Sequence, residues 1–255
     1  MAILGIDIGG SGIKGAIVDV AQGTMISERL RISTPQPATP EAVAQTVQQL
    51  VQQVNWYGPI GCTFPAIVKN GYTLSAANVD QTWVGANADQ LFEQATGCQF
   101  HMLNDADAAG LAEMKYGAGK DQHGVVMMLT FGTGIGSALF VQGLLVPNTE
   151  LGHLEIRGKD AEHRASDRVR EEKGWDWPKW AEKVNEVLAR IEALFSPDLL
   201  IMGGGVSKRF DKFGQFLQTK APLVPAMLQN NAGIIGAALA ASELFEQGHH
   251  IPNAH

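Results

Sequence analysis

Only two cysteines, Cys62 and Cys98, occur in 255 residues, far apart and in no metal-ligand spacing. That scarcity argues against a disulfide-stapled scaffold and points to a reducing compartment, the cytoplasm. No apolar run reaches the roughly 18–20 residues that a membrane span needs. The opening residues MAILGIDIGG have no basic stretch ahead of a long apolar one, so no secretory leader is expected. Cations are scarce as well: Lys and Arg number 19 against 26 Asp and Glu, a formal charge of −7. Such a chain is a poor nucleic-acid binder. It also repels a polyanion at long range unless it gathers cations locally.

Glycine, by contrast, is plentiful at 29 residues, and it is clustered, which marks turns that approach something closely. Residues 3–8 read as a buried strand, Ala16–Val20 as a second, and the stretch around Met25 to Ile32 as a third. Thr39 as N-cap, Pro40 and Glu41 then start a helix whose Val43, Val47, Leu50, Val51 and Val54 share one face. A strand near Ile60–Phe64, a helix over 88–96 and a strand over Gln99–Leu103 follow. Asn104 caps a helix to about Tyr116, stopped by Gly117 as a left-handed cap.

The second half repeats this opening. Val125–Thr130 reads as strand, Gly132-Thr133-Gly134-Ile135-Gly136 as a glycine turn, and Ser137–Val141 as strand, with Gln142-Gly143 turning into Leu144–Val146. A long helix carries Trp177, Trp180, Val184, Leu188, Ile191 and Phe195 on one stripe, which favours core packing for the tryptophans over a sugar platform. Leu199–Met202 is a strand. Gly203-Gly204-Gly205 opens a helix with Val206, Phe210, Phe213 and Leu217 on its buried face. The last helix, near Ala232–Phe245, has small residues that permit close packing. The pattern is a duplicated α/β unit with a cleft between its copies.

Gly10-x-Gly12-x-x-Gly15 has the letters of a dinucleotide fingerprint, but that motif must open a helix, and Ala16–Val20 reads as strand. Lys14 lacks the Walker flanks. What remains is a hairpin offering backbone N–H groups to a phosphate, with Ser11 and Lys14 beside it and Asp7 placed to hold Mg²⁺ through water. A single glycine turn of this kind is equally an ordinary tight hairpin. The matching turn at Gly132–Gly136 favours a phosphate chain held by both.

The run Leu4-Gly5-Ile6-Asp7-Ile8-Gly9-Gly10-Ser11-Gly12-Ile13-Lys14-Gly15 resembles the first phosphate motif of the ROK (repressor, open reading frame, kinase) family. Leu103-Asn104-Asp105-Ala106-Asp107-Ala108-Ala109 resembles its catalytic motif, Leu129–Ala138 its second phosphate motif, and Glu150-Leu151-Gly152-His153 its sugar-binding loop. Four ordered motifs from residue 3 to about 241 carry the likeness. It implies an actin-like ATPase (ribonuclease H-like) fold. The first lobe would cover 1–108, the second 109–235, and the helix 236–255 would pack back on the first. Within the family, Gly61–Pro65, Ala76–Asp80, Pro147–Glu150 and Pro197–Leu199 resemble the polyphosphate-using glucokinases. That implies phosphorylation of glucose at O6 from inorganic polyphosphate, with ATP as a second donor or, alternatively, the only one.

The resemblance assigns Asp105 as general base. It assigns Asn78, Asn104, Glu150, His153 and Glu162 to the sugar, and Asp7, Gly9, Gly10, Ser11, Gly12, Lys14, Thr130, Gly132, Thr133, Gly134, Gly204 and Gly205 to the donor. Lys208 and Lys212, four apart on an exposed helix face, would extend the donor site as a cationic track; a merely solvated face is the alternative. ROK proteins commonly carry a cysteine-rich zinc loop after the Gly-His pair. Here the cysteines are missing while Glu162 keeps its place before Ala165-Ser166, so Mg²⁺ is expected and zinc is not. A homodimer, no membrane and no nucleic acid complete the expectation. A non-catalytic sugar-sensing repressor of the family would need a DNA-binding segment ahead of the first strand, and this chain opens on that strand.

Overall fold

A computed structural model describes residues 1–76 and 79–246. The chain divides into two compact units, Met1–Ala112 with the C-terminal helix, and Glu113–Asn230. In the first, β1 (Ala2–Gly9) and β2 (Gly12–Asp19) form an antiparallel hairpin in which Gly9 faces Gly12 and Asp7 faces Lys14. Two short strands, β3 (Thr24–Met25) and β4 (Leu30–Ile32), both pair with β2, in place of the single strand expected there. The reason is local: the Ser27 hydroxyl accepts the Ile17 N–H at 2.9 Å and interrupts the ladder, so that the register slips between the two pieces.

Helix α1 (Pro40–Val54) starts as its sequence dictates, with Thr39 Oγ1 accepting the Ala42 N–H, and ends on left-handed Asn55. Strand β5 (Ile60–Phe64) joins β1 in parallel. A small hairpin of β6 (Val68–Lys69) and β7 (Tyr72–Thr73) leads to α2 (Ala88–Thr96). Strand β8 (Phe100–Asn104) extends the sheet to the order β3-β2-β1-β5-β8 and runs directly into α3 (Asp105–Tyr116).

The second unit repeats this plan. Strands β9 (Val125–Phe131), β10 (Ile135–Val141) and β11 (Leu144–Val146) form an antiparallel meander. After the hairpin of β12 (Glu155–Ile156) and β13 (Lys159–Asp160) come three helices, α4 (Glu162–Ala165), α5 (Asp167–Glu172) and α6 (Trp177–Phe195). Strand β14 (Leu199–Gly203) pairs with β9 in parallel and β15 (Leu223–Pro225) flanks it. Trp180 is fully buried and meets Phe131 and Phe213 edge-on. Trp177 stacks on Phe213 with ring centroids 5.4 Å apart, so both tryptophans belong to this core.

The segment after the triple glycine corrects the expected continuous helix. It is a 3₁₀ turn over Gly205–Arg209, one α turn, α7 (Phe210–Phe213), and another 3₁₀ turn over Gly214–Phe216. Phe213 is anchored among the tryptophans, and Gly214 lies against the Phe210 ring, which bends the chain each turn. Gly117 likewise ends α3 without a left-handed backbone. A Cβ there would come 2.0 Å from Glu113 Oε2, and that carboxylate accepts the Ala118 N–H. Glycine supplies room at that position, not conformation.

The last helix, α8 (Ala232–Glu246), is apolar on every side from Ala232 to Ala241, and nearly all of that stretch is buried. A Cβ on Gly5 would lie 2.1 Å from the Ile234 carbonyl oxygen, one on Gly61 1.8 Å from that of Ala237, and one on Gly236 1.7 Å from that of Ala108. The helix therefore rests directly on the backbones of β1, β5 and α3. Gly236→Ala should cost about 2–3 kcal/mol. A urea midpoint equal to that of the parent protein would show that the helix can move away. No helix among the described residues is long and apolar enough to cross a membrane.

Candidate functional site

The residues singled out from sequence fall into two constellations, one in each unit. In the first, the Gly10-Ser11 turn has no positive φ, so its glycines are not there for a left-handed backbone. Thr34 Oγ1 donates to the Gly9 carbonyl at 2.5 Å, and Arg31 Nη2 donates to the Ser11 carbonyl at 3.0 Å. Both braces come from beyond the motif. Asp7 lies beneath the turn, its Oδ1 accepting from Thr63 Oγ1 and its Oδ2 from Lys14 Nζ, each at 3.0 Å. Lys14 is thus ion-paired with Asp7 and its side chain stays partly exposed. A single, partly exposed carboxylate oriented in this way suits a Mg²⁺ that keeps most of its waters. Among the described residues no three His, Cys, Asp or Glu side chains converge as a metal-ion site.

The strand-to-helix junction of β8 and α3 holds the Asn-Asp pair. Asn104 is buried; its Oδ1 accepts the N–H groups of Ala106 and Asp107 at 2.8 and 3.1 Å, and its Nδ2 donates to the Ala66 carbonyl. Its capping role leaves one amide hydrogen for anything else. Asp105 is exposed at the first position of the helix, and its Oδ1 accepts the Ala106 N–H at 2.8 Å. Asp107, two positions on, is buried. Asn78 lies outside the described residues.

In the second unit, Thr130 is the penultimate residue of β9, and Gly132, Thr133 and Gly134 make the turn to β10. Glu162, at the start of α4, reaches this turn: Ile135 donates its N–H to Oε2 at 3.4 Å, and a Cβ on Gly134 would stand 2.4 Å from the same oxygen. The carboxylate thus occupies the space that a side chain at position 134 would take. Glu150 precedes a 3₁₀ turn, Leu151–His153, that packs on β10. There a Cβ on Gly152 would meet the Ile135 carbonyl at 2.1 Å, and Ser137 Oγ accepts the Leu151 N–H.

His153 Nδ1 is 3.0 Å from Asp160 Oδ2, and this bond raises the imidazole pKa. Burial raises that of Glu150, offset by nearby His153 and reinforced by Glu162. Asp160 was not singled out from sequence. The one signal was Arg157-Gly158, a two-residue turn with both φ positive, which folds β13 back beside β12.

Gly204 has φ +79°, and a Cβ there would strike the Phe131 backbone at 2.4 Å, so it is fixed by packing against the end of β9. Gly205 has open space around it. The expected helix N-terminus is absent here: the Ser207 N–H and hydroxyl both donate to the Gly204 carbonyl. Lys208 and Lys212 sit on successive turns and not on one helical face. Both are exposed, and among the described residues neither is ion-paired.

Two α/β units, each opening on a glycine hairpin and continuing into parallel strands, define the actin-like ATPase fold. The ROK family profile matches residues 3–166, and the chain belongs to that family. It is 54% identical to the polyphosphate glucokinase of Mycobacterium tuberculosis (strain CDC 1551 / Oshkosh) over 237 residues, 92% of this chain and 89% of that one. The crystal structure of inorganic polyphosphate/ATP-glucomannokinase from Arthrobacter sp. strain KM superposes with a TM-score of 0.92. It is 48% identical, covering 95% of this chain and 98% of that one. A ROK family glucokinase from Streptomyces griseus, in complex with glucose and AMPPNP, shares the fold at a TM-score of 0.80. It is 23% identical, covering 95% and 100%.

Proposed function

We propose that this protein is a glucokinase that transfers a phosphoryl group from inorganic polyphosphate to O6 of glucose, with ATP as a second donor. The observation that carries this is 54% identity to a polyphosphate glucokinase over nearly the whole chain, with Asp105, Glu150, His153 and Glu162 in their motifs. Asp105 accepts the O6 proton as O6 bonds to the terminal phosphorus and the bridging P–O bond breaks, leaving the donor one phosphate shorter. Glu150, His153 and Glu162 hold sugar hydroxyls, each of which both donates and accepts. Asp160 keeps the His153 ring oriented through Nδ1 and leaves Nε2 for the substrate. Asn104 adds its one remaining amide hydrogen.

Phosphoryl transfer asks mainly for positioning and charge neutralisation. A glycine hairpin in each unit offers backbone groups of the kind that phosphates take. Asp7 would hold Mg²⁺, which when bound would supply positive charge to the donor oxygens. Zinc has no part, since the loop after His153 has lost its cysteines; stoichiometric zinc in the purified protein would contradict this. Two free, buried cysteines agree with a cytoplasmic setting.

A coupled assay of glucose 6-phosphate, comparing polyphosphate with ATP at equal phosphate concentration, tests the assignment. Polyphosphate should serve at least as well as ATP, and activity with ATP alone would leave a plain ATP glucokinase. Lys208 and Lys212 extend the donor site for the longer substrate. Replacing both by Ala should raise the KM for long polyphosphate several-fold, more at low salt, with ATP little changed. Equal losses with both donors, or none with polyphosphate, would remove the track.

A further inference from the structure

The one side-chain cation in the first hairpin's motif is already paired with a carboxylate. Lys14, the lysine of that motif, is held by Asp7, so the pair adds no net charge there. Directly across the ladder from Lys14 stands Arg31, in the antiparallel pairing of β2 with β4. Residues facing each other across such a ladder project to the same side, and like charges so placed repel unless an anion is shared. Lys14 has its carboxylate. Arg31 has only the neutral Ser11 carbonyl, and among the described residues no carboxylate pairs with it.

Its position is built. Arg31 lies over Gly12, where a Cβ would come 2.6 Å from Nε and 3.0 Å from Nη2. Gly12 is buried and has no positive φ, so what its missing side chain provides is space for the guanidinium. One N–H is spent on the hairpin tip. The others remain in a planar fork, the geometry that matches phosphate oxygens.

We propose that Arg31 is a donor-binding residue, a guanidinium seated in the Gly12 notch and locked to the Ser11 carbonyl so that its free N–H groups take phosphate oxygens at the first hairpin. This rests on the assignment of that hairpin to the phosphoryl donor. Unlike Lys208 and Lys212, which serve only a long chain, Arg31 serves polyphosphate and ATP alike. Gly12→Ala displaces it without touching its charge.

The test compares wild type with Arg31→Gln, Arg31→Lys and Gly12→Ala. Steady-state kinetics are read with each donor, and calorimetric binding of tripolyphosphate is measured without glucose. Arg31→Gln should raise the KM of both donors about 10- to 100-fold, with the KM of glucose within about twofold and the melting temperature unchanged. It should also flatten the salt dependence of tripolyphosphate binding. Arg31→Lys should recover part of the loss, and Gly12→Ala should resemble Arg31→Gln. Donor KM values and tripolyphosphate affinity within twofold of wild type in Arg31→Gln would overturn the proposal. So would a loss that falls on glucose or on folding alone. If wild type binds tripolyphosphate through Arg31 but phosphorylates no glucose, the assigned reaction fails while the anion site stands.

Discussion

Asp105→Asn should lower the turnover of glucose phosphorylation by roughly 10²–10⁴-fold, the usual loss when a general base is removed. The KM for glucose should stay within a few-fold. The substitution is clean because the carboxylate's structural bond survives it: asparagine keeps an oxygen to accept the Ala106 N–H. Asn104 continues to cap the helix through the Ala106 and Asp107 amides. What is lost is basicity toward the O6 proton, needed only as O6 attacks, so kcat and kcat/KM should fall together. Turnover within twofold of wild type, in a protein that melts normally, would take Asp105 out of the mechanism.

The second large effect is on stability and comes from a residue outside the motifs. Asp89, in the first turn of α2, is buried; its Oδ1 accepts the Met102 N–H at 2.9 Å, and Oδ2 lies against Gly71. Burial pushes its pKa up to about 7, with the Met102 bond pulling the other way and Glu93 adding to the rise. Between about pH 4 and 7 the unfolded chain has released this proton while the folded chain retains it. Stability from this group is therefore full below about pH 4, falls as pH rises toward 7, and is level above that. The total is about 4 kcal/mol. Asp89→Asn keeps the acceptor for Met102 and cannot ionise. Urea unfolding from pH 4 to 8 should show the decline in wild type and a flatter curve in the variant, which should be the more stable protein at pH 8. Parallel curves would mean that Asp89 ionises as easily folded as unfolded.

Asp89 also marks where sequence stops being informative. An acidic residue in a first helical turn reads as an ordinary partner of the helix dipole. Nothing local distinguishes Asp89, which is buried against β8, from Asp105, which is exposed. Arg31 is similar: by sequence it is one more charge on a short strand, seventeen positions from Lys14, and only the β2–β4 register brings it over Gly12. Asp160 reaches His153 because the Arg157-Gly158 turn folds two residues of strand back on two.

By itself the sequence determined whatever depends on neighbours in the chain. Thr39 and Pro40 start α1, the apolar stripe defines α6, and small apolar residues all round α8 mark it for burial against backbone. The two strand–glycine–strand openings and the four family motifs belong here too, because motif residues lie close together in the chain. Tertiary structure decided what depends on long-range approach. It paired Lys14 with Asp7, made Gly134 a seat for Glu162, and broke the expected helix at 205–216 into separate turns around the buried Phe213. The physical reason is the same each time. A charge's partner, a glycine's missing Cβ and a helix's continuity are set by atoms that arrive from distant segments, and local pattern does not record which segments those will be.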